Sequence, residues 1–237
     1  MKRLVILSIS DLRSTFREPM FKVLLLFPFL AYVIVRYVLP VICEKYPVIV
    51  PYKEVVLMWA CLQSATMFGF IYGFLLLEEK EENIWQMIRI TPVSVFTVVL
   101  SRLLIGVLIS FIVNFFLISF GNIVDLPIVQ EIILSFLYSL AAPLIALSLG
   151  ALAKNRIEGL AQMKIVNIVL ILPAMIYFLP YKAAHLTALA PTYWSNRALE
   201  SAGDTSNFIL FSLASLMIHI IFIFFLNRRL GRVAANT

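Results

Sequence analysis

The chain has 237 residues, 62% of them hydrophobic and only 14% charged, with a mean hydropathy of +0.99. A soluble domain carries about 25% charged and 45–50% apolar residues, and a soluble fold of this size could not hide so much apolar surface. The net charge of +6 falls in short basic runs between apolar segments, which is the pattern of loops at a membrane and excludes a nucleic-acid-binding role.

The N-terminus begins Met1, Lys2, Arg3 and then runs apolar to Ile9, like a signal peptide, but Asp11, Arg13, Arg17 and Glu18 follow at once. The apolar run is too short and no small-x-small cleavage site follows, so the segment is expected to be retained. Val5, Ile9, Leu12 and Phe16 share one helical face, with Arg3, Ser10, Asp11, Arg13, Ser14 and Arg17 on the remainder. Residues 1–19 therefore read as an amphipathic helix suited to the inner membrane interface.

Six segments follow that can each span a bilayer, which takes about 20 mainly apolar residues. They are 21–39, 55–77, 96–124, 132–153, 165–181 and 205–227. With the N-terminus inside, only Arg36, Lys45, Lys53, Lys182 and Arg197 of the 19 basic residues fall on the outer side. That asymmetry predicts both termini in the cytoplasm. The fold class expected is an all-α membrane protein, one domain over 1–237, in the cytoplasmic (plasma) membrane. The first outer loop, 40–53, holds Pro40, Pro47 and Pro51 and is stiff. The third, 182–204, is half apolar with Pro191, Tyr193 and Trp194. It reads either as a helix lying in the outer interface or as a re-entrant element packed between helices.

The segment 78–92 is the one inner connection with an acidic cluster: Glu78, Glu79, Lys80, Glu81 and Glu82 precede a short apolar-faced stretch containing Trp85 and Arg89, and Thr91-Pro92 stops it. It predicts a brief cytoplasmic helix, acidic at its start, where the helix dipole favours negative charge. Four of the chain's 13 acidic residues sit here, and a patch of that sign is repelled by anionic lipid, so it suits a protein partner better.

No motif for covalent chemistry is present. The sequence has no G-x-x-x-x-G-K-[ST] loop, no H-E-x-x-H and no G-x-S-x-G. Cys43 and Cys61 form neither a disulfide framework nor a metal spacing. No catalytic or metal-ligating residue and no bound cofactor is expected. No Asp, Glu, Lys or Arg falls at the centre of a span, which argues against a secondary carrier or a charged filter. A pathway through such spans is weakly polar and suits a hydrophobic or amphipathic substrate. Gln63, Thr66, Tyr72, Asn114, Asn167 and His219 are the candidate lining residues. His219 stands in mid-span, where an ionisable group is either functional or a neutral ring hydrogen-bonded to a neighbouring helix. An enzyme or assembly factor would need converging polar groups, and His185, Arg197, Glu200 and Asp204 in the last outer loop are the available set.

From Leu77 to Ser94 the sequence resembles the permeases of type-2 ABC exporters. Those carry an acidic-basic-acidic triplet after span two, then Gly-Thr, an apolar helix and Thr-Pro before span three. Glu79-Lys80-Glu81 and Thr91-Pro92-Val93-Ser94 match that pattern, and Asn83-Ile84 stands where Gly-Thr is usual. The predicted topology is similar over nearly the whole chain. Small bacterial permeases of this size include drug exporters of the fluoroquinolone-efflux type and lantibiotic-immunity subunits, and Pro191-Thr192-Tyr193-Trp194 resembles the former without naming a substrate. The resemblance implies a transporter subunit without enzymatic activity of its own. The short helix would be a coupling helix, with Glu78, Glu79, Glu81, Glu82, Trp85, Arg89, Thr91 and Pro92 as its docking residues. Its partners would be two copies of an ABC ATPase subunit, which holds the ATP and Mg, and a second permease, identical or homologous.

Overall fold

The computed structural model describes residues 19–89, 95–178 and 185–236, with side-chain surroundings for 26–88, 97–178 and 185–234. The amphipathic helix expected before residue 19, and Thr91 and Pro92, lie outside the described residues. Those described are helical, with no strand among them. Six stretches are long and apolar enough to cross a membrane: Leu26–Lys45, Pro47–Glu81, Thr97–Gly121, Ile128–Leu152, Arg156–Tyr177 and Thr205–Ala234.

The first span joins α1 (Pro19–Val33) to α2 (Leu39–Lys45) through a π turn, Ile34–Val38. Pro40 explains the turn. A proline ring clashes with the carbonyl four residues back, here that of Arg36, and widening the helix relieves the clash. The expected outer loop 40–53 is helical almost throughout: α2 covers its first part and a 3₁₀ turn, Pro47–Tyr52, covers the rest.

The second span, α3 (Lys53–Glu81), is a single helix of 29 residues, about 43 Å long at 1.5 Å per residue. It runs four residues beyond the expected end at residue 77. Glu78, Glu79, Lys80 and Glu81 therefore form the last turn of α3 and not the first turn of the next helix. The dipole argument fails for them, since a helix C-terminus disfavours negative charge. Asn83 makes the turn with φ of 57°, a left-handed conformation open to glycine and asparagine. That accounts for Asn83 where glycine is usual. The short helix α4 (Ile84–Arg89) follows, six residues long, so the expected helix over 78–92 is narrower than predicted.

α5 (Val95–Gly121) returns across the bilayer and ends at Asn122, again left-handed with φ of 54°. The fourth span is broken at Leu140 into α6 (Ile128–Ser139) and α7 (Ala141–Leu152). Pro143, whose ring meets the carbonyl of Ser139, accounts for the break, and the Ser139 hydroxyl folds back onto the Phe136 carbonyl at 2.6 Å.

The fifth span starts nine residues before its expected boundary. α8 (Arg156–Ile171) opens on Asn155, whose side chain accepts a hydrogen bond from the Glu158 amide at 2.9 Å. The Glu158 carboxylate in turn accepts the Lys154 amide at 2.9 Å. This reciprocal cap fixes the helix start and leaves only a tight turn after α7. Lys164, expected on a loop, is thereby carried into the span. The 3₁₀ segment Leu172–Tyr177 completes it, opened by Pro173. A short helix, α9 (Pro191–Glu200), precedes α10 (Thr205–Asn236). Asp204 caps α10, accepting the amides of Ser206 at 3.0 Å and Asn207 at 3.3 Å.

α3 and α6–α7 form the centre, almost wholly buried, while α1–α2, α5, α8 and α10 surround them with one apolar face outwards. The central seam is built on small residues. A Cβ on Gly69 would stand 2.5 Å from the Ala142 carbonyl oxygen, and one on Gly73 would stand 3.1 Å from the Ala146 Cα. Gly69-x-x-x-Gly73 on α3 thus meets Ala142-x-x-x-Ala146 on α7, the close backbone approach that drives helix association where no hydrophobic effect operates. Beside the seam, Gly106 of α5 lies against the ring of Tyr72.

Candidate functional site

The polar chemistry gathers at the two ends of the bundle. At one end, the terminal turn of α3 is tied to three other helices. Glu79 accepts the Arg102 guanidinium of α5 at 2.5 Å and the Trp85 indole of α4 at 3.3 Å. The pair is nearly buried, with side-chain exposures of 6% for Arg102 and 12% for Glu79. Glu78 and Glu81 both pair with Arg156 at the start of α8, and Glu81 also accepts the Arg156 backbone amide at 2.8 Å. Lys80 donates to the carbonyl of Ala153 at 2.9 Å, on the turn between α7 and α8. Three of the four carboxylates are thus engaged within the chain, and Glu82 is left exposed.

α4 hangs from this frame. Trp85 is 2% exposed and Ile88, one turn on, packs on the core, whereas Met87 is 65% exposed and Gln86 faces out beside it. The outward surface is therefore Glu82, Gln86 and Met87. Arg89 ends the helix, and its side chain lies outside the described set.

At the other end the deep hydrogen bonds between helices join neutral groups. α9 is buried among α3, α6, α8 and α10, with Thr192, Tyr193, Ser195, Asn196, Ala198 and Leu199 inside. The Tyr138 hydroxyl of α6 donates to the Asn196 amide oxygen at 3.0 Å. Ser195 and Ser215 share a hydrogen bond at 2.7 Å, and Thr192 donates to the Leu170 carbonyl at 2.6 Å. Tyr138 and Ser215 each lie ten residues in from the start of their span, about 15 Å along the helix. Of the two sequence readings, α9 follows the one that packs it between helices.

The six candidate pathway residues do not share one cavity. Thr66, Tyr72, Asn114 and His219 are buried and Gln63 is half-buried. Thr66 Oγ1 and both amide atoms of Asn114 make no hydrogen bond among the described residues. Nδ1 of His219 lies 2.8 Å from the carbonyl oxygen of Ser215, one turn back on its own helix and not on a neighbouring one. A carbonyl only accepts, so Nδ1 carries the hydrogen, and Nε2, which has no partner, keeps the lone pair of a neutral ring. Asn167, also half-buried, lies apart from the others on α8. With Lys164, Ile168, Ile171, Met175 and Phe178 it lines a groove of about 600 Å³ along α8. The Phe178 ring closes one end, stacked on Tyr52 at 5.1 Å.

The polar set available to an enzyme does not converge. Asp204 is spent as a helix cap, Arg197 pairs with Glu200, and His185 Nδ1 is 2.7 Å from the Tyr193 hydroxyl. Among the described residues no group of His, Cys, Asp and Glu could hold a metal ion.

A family model for the Rv2686c-like fluoroquinolones export permease proteins matches residues 11–227. The chain belongs to that family. Two relatives from Mycobacterium tuberculosis are each 22% identical over 228 residues, covering 93% of this chain and 90% of the relative. They are the fluoroquinolones export permease proteins Rv2686c of strain ATCC 25618 / H37Rv and MT2760 of strain CDC 1551 / Oshkosh. No solved structure matches the chain. The protein is a multi-pass membrane export permease, with six helices among its described residues long and apolar enough to cross a membrane.

The frame around α4 was half visible in the sequence. The acidic run was plain, but its partners were not, since Arg102 and Arg156 lie 23 and 78 residues from the carboxylates they bind.

Proposed function

We propose that this permease is the transmembrane half of an ATP-driven exporter, with α4 docked on a separate ATPase subunit in the cytoplasm. The observation that carries the reading is the frame at the end of α3. A six-residue helix packs on α3 and α5, the last turn of α3 is itself tied to the α7–α8 turn and the start of α8, and the surface left outward is Glu82, Gln86 and Met87. A push on that surface reaches the end of α3 and the starts of α5 and α8 through Glu79–Arg102 and through Arg156 held by Glu78 and Glu81. Both termini then lie in the cytoplasm, in keeping with the distribution of basic residues. Two ATPase copies holding ATP and Mg serve two permease chains, identical or homologous.

The groove on α8 supports the pairing. Lys164 and Asn167 stand on a lipid-facing helix, where polar groups are costly unless they face a partner or a watery cavity. A second permease opposite α8 would enclose them in a weakly polar pathway. The substrate class is a hydrophobic or amphipathic molecule, and the relatives' names make an aromatic drug of the fluoroquinolone type the first to test.

The deciding experiment is co-expression of the permease with P-loop ATPases from its own genome, followed by co-purification and drug-stimulated ATP hydrolysis. The variant Glu82→Lys with Met87→Arg changes only the outward face of α4. It is expected to abolish co-purification and stimulated hydrolysis while the permease still elutes as a folded species. Export that continues in ATP-depleted cells and collapses with the proton gradient would instead establish a secondary carrier.

A further inference from the structure

The last turns of α10 hold a feature that export does not use. Phe224, Phe225, Arg228, Arg229 and Arg232, with Val233, surround a groove of about 400 Å³. Spacings of three and four place Phe224, Arg228 and Arg232 in one row and Phe225 and Arg229 in the next, on one helical face. Phe224 and Phe225 are 66% and 64% exposed, and the three arginines are exposed as well.

The charges are not neutralised within the described molecule. Three of the carboxylates at the same end are engaged elsewhere, Glu79 by Arg102 and Glu78 and Glu81 by Arg156, and Glu82 forms no ion pair with the α10 arginines. No described carboxylate pairs with Arg228, Arg229 or Arg232. Like charges so close on one helix repel, and an anion set between them removes that cost. The border from phenylalanine to arginine is one helical turn deep, about 5 Å, which matches the step from acyl chain to phosphate. Guanidinium groups bind phosphate through paired, planar hydrogen bonds.

We propose that this groove binds an anionic phospholipid of the inner leaflet, with its phosphate among Arg228, Arg229 and Arg232 and its chains on Phe224 and Phe225. The leaflet rests on the proposed cytoplasmic position of the α4 end. The basic residues also have a topogenic role, but topogenesis needs only positive charge, so lysine substitutes for arginine there and not in a bidentate phosphate site.

The test uses the full-length permease alone in detergent, with retention of phosphatidylglycerol against phosphatidylcholine read by native mass spectrometry. The wild type is expected to prefer phosphatidylglycerol about tenfold or more. Each arginine near the surface is worth about five-fold, so Arg228→Gln with Arg229→Gln should bring the preference down to near equality, while Lys45→Gln at the opposite end leaves it unchanged. Arg228→Lys with Arg229→Lys keeps the charge for insertion and should still lower the preference at least two-fold. Equal retention of the two lipids by the wild type, or a preference untouched in both double variants, overturns the proposal. The readout needs no ATPase, so a failure of the ATP-driven reading leaves this result standing, and the reverse also holds.

Discussion

The two ends of the bundle are tied by different chemistry. At the α4 end the ties are ionic: Glu79 to Arg102, Glu78 and Glu81 to Arg156, and Lys80 to the Ala153 carbonyl. At the α9 end the deep ties between helices are neutral, Tyr138 to Asn196, Ser195 to Ser215, and Thr192 to the Leu170 carbonyl, and the Arg197–Glu200 pair stays within α9. Depth explains the difference. The ionic ties sit at the mouths of the spans, where the half-exposed members keep some water. The neutral ties lie about 15 Å in, where a full charge would be expensive. One end is therefore built to be rearranged by salt, charge or a docking partner, and the other is built to hold still.

The sharpest way to break this contrast is at Arg102. Arg102→Ala leaves Glu79 with only the Trp85 indole in a nearly buried site, and removing one partner of such a pair costs about 3–5 kcal/mol. The thermal unfolding midpoint in detergent should fall by many degrees, and Glu79→Gln in the same chain should restore much of it. A midpoint within a degree of wild type would show the pair to be dispensable. At the α9 end, Tyr138→Phe removes the donor from a buried amide, and hydrogen bonds within membranes average well under 1 kcal/mol with a ceiling near 2. A small drop is expected, the same at 50 mM and 500 mM salt. A salt-dependent effect there would contradict the neutral character of that end. Arg156→Gln should cost least, about 0.2–1 kcal/mol, since its pairs are half exposed. Its signature is local: faster hydrogen exchange across Ile84–Arg89, with high salt producing a similar loosening in the wild type.

Much of the architecture was legible in the sequence because each span carries its own signal. Six apolar runs, the short helix before α5 and the half-apolar segment before α10 all stand in the structure. Boundaries were less legible, because charge was read as loop. Lys164 delayed the expected start of α8 although Asn155 and Glu158 spell a cap. The acidic run was placed on the wrong helix because an α3 that continues through four charged residues has no local marker. What the run binds is a property of packing, and no spacing announces that Arg102 and Arg156 will arrive beside it. The Gly69-x-x-x-Gly73 pattern was in plain view and points to a close helix contact, but it does not say with which helix.

That glycine seam has a mechanical consequence. Side chains let packed helices slip between alternative arrangements by changing rotamers, and α3 offers none at Gly69 and Gly73, where bare backbone meets Ala142, Ile145, Ala146 and Leu149 of α7. Such a joint has a single fit. The second and fourth spans therefore behave as one strut through the middle of the permease. A change of shape in the permease is therefore expected to fall on the helices around that strut and on the break at Leu140, not on the seam of Gly69 and Gly73 with Ala142 and Ala146.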